Sequence, residues 1–274
     1  MLSTGKDLDA AAWKKFFALS IDVNEELLAR SRQAAKAGAK IVLWAEALGT
    51  VTSAREAAFI KRGQQLAQRH QIYLGMAMWV FLHHDLSKTP KQKMVENKFV
   101  LLTPDGHIAW SYRKVIPVPG MEQRITVPGE KVMPTLQTPY GRLGAAICFD
   151  MDFPQLIQKA GQAGVDLLLV PAGDWKEISP FHTYMASMRA IENGFSMLRA
   201  TNNGFSGAFD YQGRLLAGME HATTRAHTMY ADVPVKGTRT IYARLGDWMV
   251  LLSLVATLAF LGVTIRRKLQ AKRG

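Results

Sequence analysis

Leu143-Gly144-Ala145-Ala146-Ile147-Cys148-Phe149-Asp150 is an apolar run that ends on a thiol, and Phe153-Pro154-Gln155-Leu156-Ile157 follows it. Small and apolar residues from Leu143 to Ile147 predict a buried strand, and Phe153 onward predicts a helix reaching about Gly164. Cys148, the chain's single cysteine, therefore falls where a strand turns into a helix. A side chain at such a turn stands above the sheet edge, near helix N–H groups that favour an anion. A thiol placed there can act as a thiolate nucleophile. A lone cysteine can equally be a small buried hydrophobe, and position alone leaves the two readings even.

Two further residues tip the balance. Ile41-Val42-Leu43-Trp44-Ala45-Glu46 is a continuous apolar strand ending in a carboxylate, the pattern of a parallel sheet with chemistry at its C-terminal edge. Lys114 follows a hairpin made of Lys98 to Leu102, the turn Thr103-Pro104-Asp105-Gly106, and His107 to Tyr112. Taken singly, each is a strand-end charge facing solvent. Together with Cys148 they compose a machine: the glutamate takes the thiol proton, the sulfur attacks a carbonyl carbon, and the lysine stabilises the oxyanion.

The remaining pattern supplies a frame around these three. Helical stretches are predicted from Asp9 to Leu19, Asp22 to Ala39, Ser53 to Arg69 and Pro180 to Asn193. Strands are predicted at Ile72 to Val80, Asp166 to Pro171 and Phe195 to Ala200, and Asp210-Tyr211-Gln212-Gly213 turns a late hairpin. Leu82 to Gln92 reads as a polar hairpin insertion whose His83, His84 and Asp85 are solvated rather than metal-ligating. No metal or other cofactor is expected.

At 274 residues and 48% hydrophobic content the chain suffices for one large domain and a tail. Basic residues outnumber acidic ones by 34 to 22, giving a net charge of +12. No basic–aromatic platform accompanies that surplus, so nucleic acid is not an expected partner. Trp248 to Ile265 carries no charge and is flanked by Trp248 on one side and by Arg266, Arg267, Lys268, Lys272 and Arg273 on the other. This pattern predicts a membrane-spanning helix over 247–265 with a basic cytoplasmic tail at 266–274, which puts residues 1–246 outside the cytoplasm. Residues 1–24 lack the apolar core of a signal peptide.

Glu46, Lys114 and Cys148, each in a strand-end setting, resemble the Glu-Lys-Cys triad of the nitrilase, or carbon–nitrogen hydrolase, superfamily. Several stretches resemble one branch, the apolipoprotein N-acyltransferases: Thr138-Pro139-Tyr140-Gly141-Arg142-Leu143-Gly144 before the nucleophile, and Met188-Arg189-Ala190-Ile191-Glu192-Asn193-Gly194 after it. Leu198-Arg199-Ala200-Thr201-Asn202-Asn203-Gly204 and Tyr242-Ala243-Arg244-Leu245-Gly246-Asp247-Trp248 extend the likeness. The resemblance implies an α/β fold, an α-β-β-α sandwich followed by one C-terminal transmembrane helix. It also implies that Glu122, in Pro117-Val118-Pro119-Gly120-Met121-Glu122, assists the triad, and that Phe149 and Asp150 support it. Trp175, His182 and Asn202 are its expected substrate-pocket residues. Where the branch favours Cys-Tyr-Glu this chain has Cys148-Phe149-Asp150, and Ala45 precedes Glu46 where proline is usual. The branch's N-terminal transmembrane bundle has no counterpart here, which implies a truncated product or a reduced relative with a separate transmembrane subunit.

The expected function is a membrane-anchored acyltransferase that carries an acyl group from phospholipid on Cys148 to an amine such as a lipoprotein N-terminus. The alternatives are an amidase, in which water resolves the same acyl-enzyme, and an inactive membrane-tethered binding domain.

Overall fold

The computed structural model describes residues 10–82, 93–224 and 228–272; His83, His84 and Asp85 lie outside them. The first half runs α1 (Ala10–Lys36), β1 (Ile41–Leu43), β2 (Gly49–Thr52), α2 (Ser53–His70), β3 (Tyr73–Phe81), β4 (Val95–Leu102), β5 (Ile108–Arg113) and α3 (Met121–Ile125). After it come β6 (Thr135–Thr138), β7 (Gly141–Ala145), a 3-10 turn (Cys148–Asp152), α4 (Pro154–Gln162), β8 (Leu167–Gly173) and α5 (Phe181–Asn193). The chain closes with β9 (Ser196–Asn202), β10 (Phe205–Phe209), β11 (Leu215–Glu220), α6 (Ile241–Leu245) and α7 (Trp248–Ala271).

Two sheets result. One is ordered β1-β3-β4-β5, with β2 also on β3; the other is β11-β10-β9-β8-β7-β6. Their inner faces share a core of Tyr73, Phe99, Leu101 and Tyr112 against Leu143, Ala145, Ile147 and Leu169. The outer face of the first sheet packs Leu74, Met76 and Leu102 against Leu28, Phe59 and Leu66 of α1 and α2. The outer face of the second packs Leu168, Val170 and Met197 against Ile157, Ala160, Ala186 and Ala190 of α4 and α5. Alternation along each strand feeds both faces, so both sheets are buried on two sides and the layers stack as α-β-β-α.

Two local departures from regularity position the site. β1 and β2 are halves of one edge strand, both parallel to β3. Ile41 pairs with Tyr73 but Gly49 with Met78, so eight steps along the edge answer five along β3 and the surplus is thrown out as a loop holding Glu46. The second departure is Cys148 itself, which adopts φ +46° in the left-handed region that a β-carbon disfavours.

The two N-terminal helical stretches are one continuous helix, α1. Ser20, between them, bonds its hydroxyl back to the Phe17 carbonyl at 2.8 Å and so satisfies itself inside the helix. At the other end, α7 continues beyond Ile265 through Arg266 to Ala271, because Arg, Lys, Leu and Gln all favour helix. Its apolar stretch is exposed throughout and is long and apolar enough to cross a bilayer.

Candidate active site

Lys114 follows β5 directly and is 1% exposed. Its Nζ meets Glu46 Oε1 at 2.8 Å and both carboxylate oxygens of Glu122, at 3.0 and 2.9 Å. Asn97 on β4 donates to the same two carboxylates, at 2.7 Å to Glu46 and 3.0 Å to Glu122. The Val118 N–H adds a bond of 2.8 Å to Glu122. A lysine buried this deeply needs anionic partners. Burial works against its charge, but Glu46, Cys148 and Glu122 outweigh it and hold the ammonium form.

Glu46 Oε1 is occupied by Lys114 and Asn97, which leaves Oε2 to face the second sheet. There it converges with Cys148 on Gly173, the last residue of β8. The thiol reaches the Gly173 carbonyl at 3.8 Å, and a β-carbon added to Gly173 would stand 3.3 Å from Glu46 Oε2. The Glu46 N–H also donates to Ala172 O at 3.2 Å, which ties the looped-out segment to the opposite sheet. Glu46, Lys114, Glu122 and Cys148 therefore gather at one end of the sandwich.

Asp150 is fully buried. Its carboxylate accepts from Tyr112 Oη (2.8 Å) and from the N–H groups of Val115 (3.1 Å), Ile116 (2.9 Å) and Ile147 (3.1 Å). One side chain thus fixes the residue after Lys114 and the residue before Cys148 relative to each other. Burial pushes its pKa up to about 6, against the hydrogen bonds from Ile147 and Ile116.

The thiol is not the thiolate-prone group that its strand-to-helix position suggested. Burial first, and the Glu46 charge second, push Cys148 well above the ordinary thiol range, and Lys114 and Arg199 pull back by less. The turn it opens is only the 3-10 segment Cys148–Asp152, with α4 beginning at Pro154. A thiol held neutral in this way would need a base before it could attack, and the Glu46 carboxylate converges with it on Gly173.

On its other side Cys148 meets a second cluster. A ring nitrogen of His182 and a carboxylate oxygen of Asp174 lie with Cys148 Sγ inside 4.8 Å of one another. His182 Nδ1 donates to Asp174 Oδ1 at 2.7 Å, and Nε2 donates to Asp152 Oδ1 at 2.9 Å. Burial opposes the charge on His182, but these two bonds raise its pKa above the usual value. Arg199 is fully buried, bonds both Asp174 oxygens at 3.0 and 3.1 Å, and comes within 2.8 Å of His182 Nδ1. Cys148, His182 and Asp174 have metal-ligand chemistry, but the guanidinium already occupies the place of the cation, so the group does not fit a metal ion.

Phe149, Trp175 and His182 line a cavity of about 800 Å³ with Cys148, together with Phe181, Tyr184, Met185 and Met188 of α5. Asn202 does not. It stands three residues from Arg199 on β9, and an odd offset on a strand points to the opposite face. There it lines a different cavity, of about 1410 Å³, beside α1 and the segment 228–235. Asp152, Asp174 and Arg199 went unread in the sequence. The available signal was a charge inside an apolar strand at Arg199 and another ending one at Asp174, since buried charges occur in pairs.

The carbon–nitrogen hydrolase family model matches residues 20–243. The chain belongs to the carbon–nitrogen hydrolase family and is an enzyme of it. A rat deaminated glutathione amidase is 34% identical over 149 residues, which is 51% of this chain and 45% of that protein. An apolipoprotein N-acyltransferase of Gloeobacter violaceus is 37% identical over 148 residues, 51% of this chain and 26% of that protein. The matches thus span less than half the length of these curated relatives. Among solved structures, an amidase from Nesterenkonia sp. superposes with a TM-score of 0.68 at 20% identity, covering 86% of this chain and 90% of that one, a likeness of fold.

Proposed function

We propose that this protein is a membrane-anchored acyltransferase that moves an acyl group from a phospholipid to an amine by way of a thioester on Cys148. Glu46 takes the thiol proton as Sγ attacks the ester carbonyl, and Lys114 stabilises the oxyanion. Collapse expels the lysophospholipid alkoxide, which receives the proton from Glu46 and leaves the acyl group on sulfur. An amine then gives a proton to Glu46 and attacks the thioester; the departing thiolate is reprotonated and an amide is released. Glu122 and Asn97 hold Lys114 and Glu46 in place for both halves of the cycle.

The observation that carries this reading is the cavity beside Cys148. Its walls are overwhelmingly apolar, and its mouth is rimmed by exposed Trp175, Phe181, Met185 and Met188. Flexible methionines accommodate an acyl chain, and an exposed apolar rim suits a lipid surface. The exposed apolar α7 supports membrane attachment, and its basic end supports a cytoplasmic C-terminus with residues 1–246 as the extracytoplasmic catalytic domain. A lipoprotein N-terminus and a separate transmembrane subunit are the partners that this reading supplies.

The full-length protein, incubated with vesicles of radiolabelled phosphatidylethanolamine, should acquire a hydroxylamine-labile label that Cys148→Ala lacks. Absence of label would overturn the transferase reading. The fold likeness to amidases favours a second reading, in which water resolves the acyl-enzyme. Deleting Gly246 onward separates the two. A lipid-using transferase should lose most turnover on vesicles yet keep reactivity toward a short soluble ester, whereas an amidase on small amides should keep full turnover.

A further inference from the structure

The cavity beside Cys148 is largely apolar, with Asp152, His182 and Ser187 among the few polar side chains that line it. Among its lining residues Asp152 is the sole carboxylate and no lysine or arginine is present. Asp152 sits on the same short turn as the nucleophile, and its side chain is 23% exposed. It ends a graded series: Arg199 and Asp174 are sealed from solvent, His182 is nearly so, and Asp152 opens to the cavity. Each member fixes the next. Arg199 holds Asp174, Asp174 holds His182 Nδ1, and His182 Nε2 holds Asp152 Oδ1.

His182 pairs with only one oxygen of this carboxylate, at 2.9 Å. Here one oxygen is fixed by a ring locked from behind, and Oδ2 is left to accept from whatever enters. We propose that Asp152, oriented by His182, is the acceptor subsite of the transfer reaction and recognises the ammonium form of a primary amine. This inference rests on the transferase reading above.

Three features support it. An α-amino group is largely protonated near pH 7, so a carboxylate is its natural first contact. The carboxylates around Cys148 (Glu46, Glu122, Asp150, Asp152 and Asp174) outnumber the cations Lys114, His182 and Arg199, which disfavours an anionic acceptor. The cavity's lining also offers no free cation to a carboxylated or phosphorylated nucleophile. Asp152 is assigned to binding and orientation; the bound ammonium releases one proton to solvent to free its lone pair, and the second proton, lost as nitrogen attacks the thioester, passes by way of Glu46 to the departing sulfur.

The test uses the full chain in detergent with p-nitrophenyl butyrate as acyl donor, and it measures the ratio of acyl groups captured by an amine to those captured by water. Glycinamide, cationic near neutrality, is compared with hydroxylamine, which is neutral there. Asp152→Asn should lower the glycinamide-to-water ratio about tenfold and leave the hydroxylamine-to-water ratio within about twofold. Asp152→Glu, which restores a carboxylate, should recover at least half of the glycinamide ratio, as a variant that merely disturbs the fold would not. The subsite is refuted if Asp152→Asn leaves the glycinamide ratio unchanged or lowers both ratios equally. If the unaltered protein releases p-nitrophenol but forms no amide with either nucleophile, the transferase reading itself fails, and the subsite fails with it.

Discussion

Cys148 stands between two charged clusters built in opposite ways. Glu46 comes from a broken edge strand 68 residues before Lys114 at a hairpin end, and Glu122 from the proline-rich loop eight residues after it. They meet because the order β1-β3-β4-β5 brings the edge loop and the end of β5 to one end of the first sheet, where Asn97 of β4 bonds both carboxylates. Asp152, Asp174, His182 and Arg199 come from a single run of the second half, where the parallel pairing of β8 with β9 sets Val170 beside Arg199 and Gly173 beside Asn202. The first cluster has one cation shared by two carboxylates; the second sets a guanidinium and an imidazole between two carboxylates. The contrast separates two tasks. A cluster with surplus negative charge can accept a proton from the thiol, and a balanced one can hold a geometry without competing for that proton.

The largest expected effect is at Cys148, which lies between the two clusters. Cys148→Ser should lower acyl-enzyme formation by at least about a thousandfold, because a hydroxyl at this site is far harder to ionise than a thiol. Stopped-flow measurement of p-nitrophenol release with a soluble ester would detect it, and an undiminished burst would show that the covalent step is elsewhere.

Breaking the first cluster should come next. Lys114→Ala strands two buried carboxylates and should destabilise the fold by about 3–5 kcal/mol. Lys114→Met fills the volume but supplies no charge, so it should keep more stability while activity remains lost. Chemical denaturation of the two variants beside their turnover would separate structure from catalysis. Equal activity in Lys114→Met and the unaltered protein would remove the lysine from the mechanism.

The meeting point on Gly173 is probed by Gly173→Val. A branched side chain there would press on Glu46 Oε2, so acylation should slow by about tenfold or more while the protein stays folded, as read by ester kinetics beside circular dichroism. If acylation is unchanged, Glu46 and Cys148 do not need this approach.

The smallest effect sharpens the comparison through Asp150, which belongs to neither cluster but ties their supports together. Its folded pKa of about 6 lies above the unfolded value of about 3.8. A carboxyl with a raised folded pKa contributes stability that is fully present below its unfolded pKa and is lost as pH rises through the folded one. Between pH 4 and 6 that loss amounts to at most about 3 kcal/mol. Asp150→Asn should flatten this part of a plot of melting temperature against pH. An unaltered slope would place the titration on another group.

Cys148, Glu46 and Lys114 were legible because each ends a strand that the sequence predicts, two of them apolar runs and one a hairpin, and a strand end is visible in a single stretch of sequence. Glu122 came only through family resemblance, since nothing in Pro117-Val118-Pro119-Gly120-Met121-Glu122 says toward which lysine it turns. The second cluster was hidden for a different reason. Residues 152, 174, 182 and 199 share no local periodicity, and they are united by the register of β8 on β9 and by which face of α5 meets the sheet. Asn202 was drawn in by the same stretch and excluded by strand alternation. The thiol's state was misread because position was legible and burial was not.

The segment between Asp232 and α6 has a mechanical consequence. Thr238 bonds Gly194 backbone to backbone at 2.7 Å, Thr240 Oγ1 bonds Glu192 O at 2.6 Å, and Gly237 N bonds Asp166 at 3.1 Å. A side chain on Gly194 would collide with the Thr238 carbonyl, so the strap lies flush. α6 then packs on α4 and α5, and only Gly246 and Asp247 separate it from α7. Any pull on α7 therefore enters the body through α4, where Gln158 bonds the Tyr242 and Ala243 carbonyls at 3.2 and 3.3 Å, and through the end of α5, the helix that carries His182 and a wall of the cavity. Were α7 fixed in a bilayer, it would be a lever arm as well as a tether, and tension on it would be felt first by the helices that wall the cavity beside Cys148.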